Sequence, residues 1–297
     1  MTETDQKARA ASEGGGRLRR NLAILNARLK RRRIPALLPD AYPRTRLVLS
    51  GGLLAVIVIT LSLFSLDSGA PDWSEALSPL TEGVFQFITQ FGKSGWYLVP
   101  VGIFGLVLLF ADWTRIGRSA AAAWVEVADL VGFFFFNMAA AGIVTNLIKW
   151  TLGRSRPLRF KKDGIFTFEP ISFAHEHVSF PSGHATTAAA LFVSCAYIFR
   201  GQPVVVGVIG VCAGLMAVSR VAVGAHFPSD VVAGVFVGAA FTVFYAYALG
   251  RSGVAFQRQP DGSLMPKTVA IRTSFRREGA ATMVEELWAA LRGARRG

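Results

Sequence analysis

Apolar residues in this chain gather into long blocks separated by shorter polar stretches. A helix needs about 20 apolar residues to cross the roughly 30 Å hydrocarbon core of a bilayer. Six blocks approach that length: residues 46–66, 95–112, 122–150, 183–200, 204–224 and 228–249. The first is too long, and its leader too extended, for a cleaved signal peptide. Trp96, Trp113 and Trp150 stand at block ends, where an aromatic belt forms. Over 72–92 the pattern changes. Trp73, Leu77, Leu80, Val84, Phe85 and Ile88 recur at helical spacing, which predicts an amphipathic helix lying at the interface. Residues 151–182 form a polar loop long enough to expect function there. The predicted fold is all-α, an integral membrane bundle of six transmembrane helices with an interfacial amphipathic helix.

Composition strengthens this picture. Mean hydropathy is +0.41 and only 17% of residues are charged, against about 25% in soluble domains. The net charge of +13 sits mainly in the two tails and beside the motifs described below. That distribution speaks for anionic lipid and topology signals and against nucleic acid as a partner. A basic cytoplasmic tail is expected at 1–45, with Arg31-Arg32-Arg33 and a basic helix near 18–33 lying on the membrane. A second basic tail is expected at 250–297, with a short amphipathic helix at 281–292. Between them lies a membrane domain over 46–249. Six spans put both tails on one side, and the positive-inside rule makes that side the cytoplasm. The connections at Arg115–Arg118 and Arg200 then fall inside, and 67–94, with only Lys93 as a base, falls outside. The basic loop at 154–162 also falls outside, against the rule, and a functional demand for positive charge explains the exception. Cys195 and Cys212 lie inside apolar blocks and read as packing residues, with no disulfide or zinc spacing.

Three strings carry candidate chemistry: Lys149 followed by Arg156-Pro157, then Pro181-Ser182-Gly183-His184, then Ser219-Arg220 followed by His226 and Asp230. With six spans, all three reach the same membrane face. Cations near span ends cost about 2.5–3.5 kcal/mol each on insertion scales, so Lys149 and Arg220 need an anion or water. Arg offers a fork matched to phosphate and Lys a point charge. A helix start at Ser182-Gly183 presents free N–H groups to an anion. Ser182 is expected to cap that helix, and Gly183 to let the backbone approach phosphate closely. Pro228 suits the first turn of the last span. His226 and Asp230, four apart, can face each other on a helical turn. A carboxylate on one imidazole nitrogen leaves the other free as a nucleophile. His184 then suits a general acid.

Plainer readings exist for each part. Lys149 and Arg220 can be snorkelling residues, His184 an ordinary helix-start residue, and His226 with Asp230 a structural pair. The three strings in order at one level favour a site. His175-Glu176-His177 offers a metal alternative with His184, although loop histidines more often meet solvent or a head group. The Phe133–Phe136 run reads as lipid-facing or packed. No acidic cluster suits Mg²⁺, so neither metal nor cofactor is expected.

Together the strings resemble the signature of the type 2 phosphatidic acid phosphatase (PAP2) superfamily, which holds membrane lipid-phosphate phosphatases and vanadium haloperoxidases. The resemblance covers roughly 95–249, with every motif position filled. It implies phosphate binding by Lys149, Arg156, Ser182, Gly183 and Arg220, with His226 as nucleophile, Asp230 as its partner and His184 as general acid. It also implies a phosphohistidine intermediate hydrolysed by water, no metal in the phosphatase branch, and a six-span fold. The expected protein is a membrane lipid phosphate or diphosphate phosphatase in the cytoplasmic (inner) membrane, its site on the outer, periplasmic face. Bacterial members of such a group act on undecaprenyl diphosphate, phosphatidylglycerol phosphate or lipid A, and the motifs do not choose among them. Two rivals stay open. One is a lipid phosphotransferase using the same phosphohistidine. The other is a non-catalytic lipid-binding or transport protein, against which the intact His184, His226 and Asp230 count. The haloperoxidase branch is soluble and does not fit the spans.

Overall fold

The structure is a computed structural model that describes residues 15–16, 18–23, 41–113 and 116–292. The Arg31-Arg32-Arg33 run, most of the 18–33 helix and Arg115 lie outside the described residues. The chain runs through α1 (Ala41–Ser65), α2 (Ala70–Glu75), α3 (Pro79–Gln90), α4 (Gly95–Phe110), α5 (Arg118–Leu152), α6 (Gly183–Ile198), α7 (Pro203–Ala222) and α8 (Pro228–Ser252). A hairpin of β1 (Phe256–Arg258) and β2 (Leu264–Pro266) follows, then α9 (Val269–Arg292).

Three expectations change. The amphipathic stretch 72–92 is two helices, because Ser78 ends one segment and caps the next. Its Oγ accepts from the Thr81 N–H at 3.2 Å, and Pro79 opens α3. The chain is not purely α: β1 and β2 pair antiparallel, Gln257 opposite Met265, inside the expected tail. The tail helix begins at Val269, well before 281, and breaks at Gly279 (φ 78°).

Five segments among the described residues are long and apolar enough to cross a membrane: Val48–Ser65, Pro79–Phe110 (which joins α3 and α4), Arg118–Leu152, Pro203–Ala222 and Pro228–Ser252. The expected fourth span is α6, an apolar helix of 16 residues, only about 24 Å long at 1.5 Å per residue. Apolar side chains on α1 stand exposed, Val48 at 71% and Phe64 at 68%, as on a helix whose solvent is lipid. The protein is an integral membrane protein.

The chain divides into two compact units. One, from residues 36–98 and 136–245, holds every candidate site residue. Its centre is the packing of α6 on α7 and α8 through small side chains. Ala188, Ala213 and Met216 form one buried group and Ala185, Ala217 and Val231 another. A methyl placed on Gly234 would stand 2.4 Å from the Ser182 carbonyl, and one on Gly238 2.4 Å from that of Thr186. Glycines four apart thus bring the α8 backbone against α6, the small-residue solution to packing where no hydrophobic drive joins helices. Buried polar ties add register. Asn137 Nδ2 donates to Ser194 Oγ and Thr242 Oγ1, both at 2.9 Å, and Thr145 Oγ1 to Thr186 Oγ1 at 3.0 Å.

The other unit contains residues 99–135 and the segment from 246 onward. Leu108, Trp124, Met283 and Leu287 share its buried core, so α9 is packed rather than free. Asn21 donates to the Leu109 and Ala111 carbonyls at 2.7 and 3.0 Å, and Arg20 pairs with Asp112 at 2.9 Å. Residues 18–23 therefore dock on protein. Phe133 is buried edge-on against Phe256, whereas Phe136 is 60% exposed.

Candidate active site

The site is assembled from helix ends. The α7 helix closes with Arg220, and Gly224 (φ 63°) turns the chain out of the helix, a left-handed position that costs glycine little. The Arg220 carbonyl then accepts from Ala225 and His226 N–H at 3.0 and 3.1 Å, so Arg220 and His226 are held by one turn. The α8 helix opens at Pro228. Asp230, in its first turn, accepts from Phe227 N–H through Oδ2 at 2.9 Å, a carboxylate reaching back to cap the helix start. The Asp230 carbonyl accepts from Ser182 N–H at 2.9 Å, which fixes the start of α6 beside the start of α8.

His226 is 2% exposed. Its Nδ1 faces Ser179 Oγ at 3.4 Å and Asp230 Oδ2 at 3.7 Å. The direct histidine–carboxylate distance exceeds a hydrogen bond. Ser179 Oγ, which donates to Asp230 Oδ2 at 2.5 Å, bridges the two. Nε2 is the nitrogen left for chemistry. Burial holds the His226 imidazole well below the ordinary histidine range, only partly opposed by Asp230, and Lys149 and Arg156 push the same way as burial. The ring is thus neutral, with a lone pair, near pH 7.

Of the residues expected to hold phosphate, Lys149 and Arg156 act electrostatically on this ring, while Arg220 is tied by its carbonyl to the His226 N–H and Ser182 by its N–H to the Asp230 carbonyl. Lys149 closes α5 at 8% exposure, and its side chain makes no hydrogen bond or ion pair to a described residue. Arg220 Nη1 donates to Thr89 Oγ1 at 2.6 Å, while its Nε is buried without a partner among the described residues. Ser182 does not make the expected cap; its Oγ is fully buried and without a partner among the described residues. Around Gly183 a methyl would meet nothing within 4 Å, so no side chain or neighbouring backbone crowds its Cα. Arg156 is anchored to backbone. It grips carbonyls, His175 O at 2.7 Å, Ala225 O at 3.1 Å and Val178 O at 3.4 Å, and keeps two of its five N–H donors uncommitted. Burial lowers its pKa from the ordinary arginine value, opposed by Asp230. His184 lies in the first turn of α6, and a methyl on Gly92 would fall 2.6 Å from its ring.

Of the loop histidines only His177 turns inward. His177 is buried, with Nδ1 3.0 Å from Ser155 Oγ and Nε2 3.3 Å from Glu169. His175 is exposed, and its carbonyl takes Arg156. Among the described residues no group of three or more His, Cys, Asp or Glu side chains is placed to hold a metal. The cysteines are free, Cys195 buried as expected and Cys212 exposed.

Sequence pattern does not single out Asp67, Thr89, Arg154, Ser179 or Ser229, yet Thr89, Arg154 and Ser179 touch site residues, and Asp67 and Ser229 hold Arg154. Arg154 is 1% exposed. Its Nη1 donates to Asp230 Oδ1 at 2.5 Å and Ser229 Oγ at 2.7 Å, its Nη2 to Asp67 Oδ2 at 2.8 Å, and its plane covers Phe227 at 4.6 Å. Asp67 accepts from Ser229 N–H at 2.9 Å and Ser229 Oγ at 2.5 Å. Burial pushes the Asp67 carboxyl up, against hydrogen bonds from Ser229 and Arg154 that pull it down. One signal was available: a lone Asp just past an apolar block needs a cation. Gly153 (φ 64°) sets up Arg154, and a methyl there would collide with the Glu169 carbonyl at 1.6 Å.

The model of the PAP2 superfamily matches residues 130–253. A lipid A 1-phosphatase of Rhizobium johnstonii is 35% identical over 215 residues, 70% of this chain and 83% of that protein. Its counterpart in Rhizobium etli is 33% identical over 207 residues, 69% of this chain and 86% of that one. A crystal structure of a transmembrane PAP2-type phosphatidylglycerolphosphate phosphatase from Bacillus subtilis superposes with a TM-score of 0.47 at 24% identity, over 68% of this chain and 92% of that one. The chain belongs to the PAP2 superfamily, and it is a membrane phosphatase of that type.

Proposed function

We propose that the protein removes phosphate from a lipid, the 1-phosphate of lipid A being the favoured substrate, through a phosphohistidine on His226. The observation that carries this reading is a buried, neutral His226 whose Nδ1 side is occupied by Ser179 and Asp230, beside the under-used donors of Lys149, Arg156 and Arg220. The substrate choice is supported by relatives named lipid A 1-phosphatase that align over more than four-fifths of their length.

In the first step the Nε2 lone pair forms a bond to phosphorus while the P–O bond to the lipid breaks. The departing oxygen takes the proton of His184, whose charged form the bound phosphate stabilises. Ser179 and Asp230 hold the Nδ1–H of the imidazolium so formed. Lys149, Arg156, Arg220, Ser182 Oγ and the Gly183 N–H bind the phosphoryl oxygens. In the second step water attacks phosphorus and gives its proton to His184. The N–P bond breaks, its electrons return to Nε2, and free phosphate leaves.

We further read six spans, with α6 as the short one, α3 at the interface, both tails cytoplasmic and the site on the periplasmic face of the inner membrane. The charge asymmetry of the tails and the gathering of Lys149, His184, Arg220 and His226 at helix ends support this. The domain reading is likewise a phosphatase core over 46–249 between basic tails.

Purified protein in detergent micelles tests the function against lipid A, phosphatidylglycerol phosphate and undecaprenyl diphosphate. Free phosphate from the 1-position of lipid A, with kcat/KM at least tenfold above the other two, is expected. Phosphate passed to a second lipid would make it a transferase. No turnover of any of the three would overturn the reading.

A further inference from the structure

We infer that Arg154, braced by Asp67 and Ser229, is a positioning residue that orients the Asp230 carboxylate toward Ser179 and His226. This rests on the proposed role of His226. Asp230 is 0% exposed, and its two oxygens have different duties. Oδ1 accepts from Arg154 Nη1, and Oδ2 from Ser179 Oγ and Phe227 N–H. A carboxylate held on both oxygens cannot rotate, so Oδ2 stays on the His226 side. Arg154 is itself immobilised. Asp67 takes Nη2, Ser229 Oγ takes Nη1, the Ile165 carbonyl takes Nη2 at 3.1 Å, and Phe227 lies against its plane. The chain of contacts therefore runs from the end of the first span, through the 153–180 loop, to the histidine.

Charge sharpens the inference. Asp67, Arg154 and Asp230 sum to one negative charge on the Nδ1 side of His226. Lys149 and Arg156 are the other charged groups that act on the ring. A single negative charge behind the histidine matches the imidazolium that forms when Nε2 bonds phosphorus. A second one would hold a proton on the resting ring, and none would leave the imidazolium unsupported. Arg154 faces the carboxylates, so its charge is spent on orientation rather than on phosphate.

The test compares purified wild type, Arg154→Gln, Arg154→Lys and Asp67→Asn in micelles on one lipid phosphate, with kcat and KM measured from pH 5 to 9. Arg154→Gln removes a positive charge and should lower kcat about 100-fold. KM should change less than about threefold, since the phosphate-binding residues are intact. The acid limb of kcat/KM should move to higher pH. Arg154→Lys should recover at least tenfold of the lost rate. Asp67→Asn removes a negative charge and should move the acid limb the opposite way, to lower pH. The inference is overturned if folded Arg154→Gln keeps the wild-type pH profile and loses rate only in proportion to its folded fraction, or if the loss lies in KM. Should Arg154→Gln not fold, Asp67→Asn decides: an unmoved acid limb in that variant overturns it. Absence of wild-type turnover on any lipid phosphate would instead sink the proposed function and is read before the variants.

Discussion

The two sides of the site use buried cations in opposite ways. Behind His226, Arg154 has donors on Asp67, Asp230, Ser229 and Ile165, and nothing in that set is left over. In front, the Lys149 side chain makes no hydrogen bond to a described residue, and Arg220 Nε and Ser182 Oγ are buried without a partner among the described residues. A buried donor without an acceptor costs about 1–3 kcal/mol, more when charged. A fold tolerates that cost where the missing acceptor arrives with a substrate. Saturated groups hold geometry, and unsaturated groups mark where an anion goes.

The largest effect that tests this contrast is at the ring between the two sides. His226→Ala should lower kcat by roughly four orders of magnitude or more, because water cannot replace a positioned nucleophile at similar rate. Folding, read by thermal shift, should survive. Near-normal phosphate release from that variant would remove His226 from the mechanism and leave the contrast without a centre.

The next effect separates the two sides by sign. Lys149→Met should lower kcat/KM by about 10²–10³-fold and leave the melting temperature unchanged or raised, since an unpaired buried charge is removed. Arg154→Met should destabilise by about 3–5 kcal/mol, because it strands two buried carboxylates. Equal melting temperatures for the two variants would show that the front cations are paired in solution.

The front was more legible in the sequence than the back. Lys149, Ser182, His184, Arg220 and His226 stand out because a polar residue at the end of an apolar block is costly and so conspicuous. Five of the six expected spans, which fall on segments long and apolar enough to cross a membrane, were legible for the same reason. Asp67, Arg154 and Ser179 were not, because each is one polar residue among others in a connection, and only tertiary contact tells a solvated Arg from a buried one. The break at Ser78-Pro79 was readable as a cap signal, but the apolar rhythm on both sides of it continued and masked it. The β1–β2 hairpin, three residues per strand, is too short for any alternation to register.

A smaller effect separates acid from nucleophile within the front. His184→Ala should cost about 10²-fold or more on a lipid monoester, whose departing oxygen is basic. On p-nitrophenyl phosphate, whose leaving group needs little protonation, the loss should stay within about tenfold, provided chemistry limits the rate. His226→Ala should lose activity on both alike. A flat ratio for His184→Ala across a leaving-group series would assign that ring to phosphate positioning.

The smallest effect is thermodynamic and needs no substrate. Burial keeps the folded pKa of His226 below the ordinary 6.5, whereas the unfolded chain titrates near that value. Below 6.5 the unfolded state therefore binds more protons than the folded one, and stability falls as the pH drops toward the folded pKa. Above 6.5 both states are neutral at this position and its contribution is fully present. The slope cannot exceed one proton, about 1.4 kcal/mol per pH unit. His226→Gln keeps similar bulk and does not titrate. Between pH 7 and pH 5 the wild type should thus lose up to about 2 kcal/mol more than His226→Gln, read as a steeper fall in melting temperature in the same micelles. Parallel falls would mean that His226 titrates alike in both states, and then the neutral resting ring behind the contrast of the two sides would have to be given up.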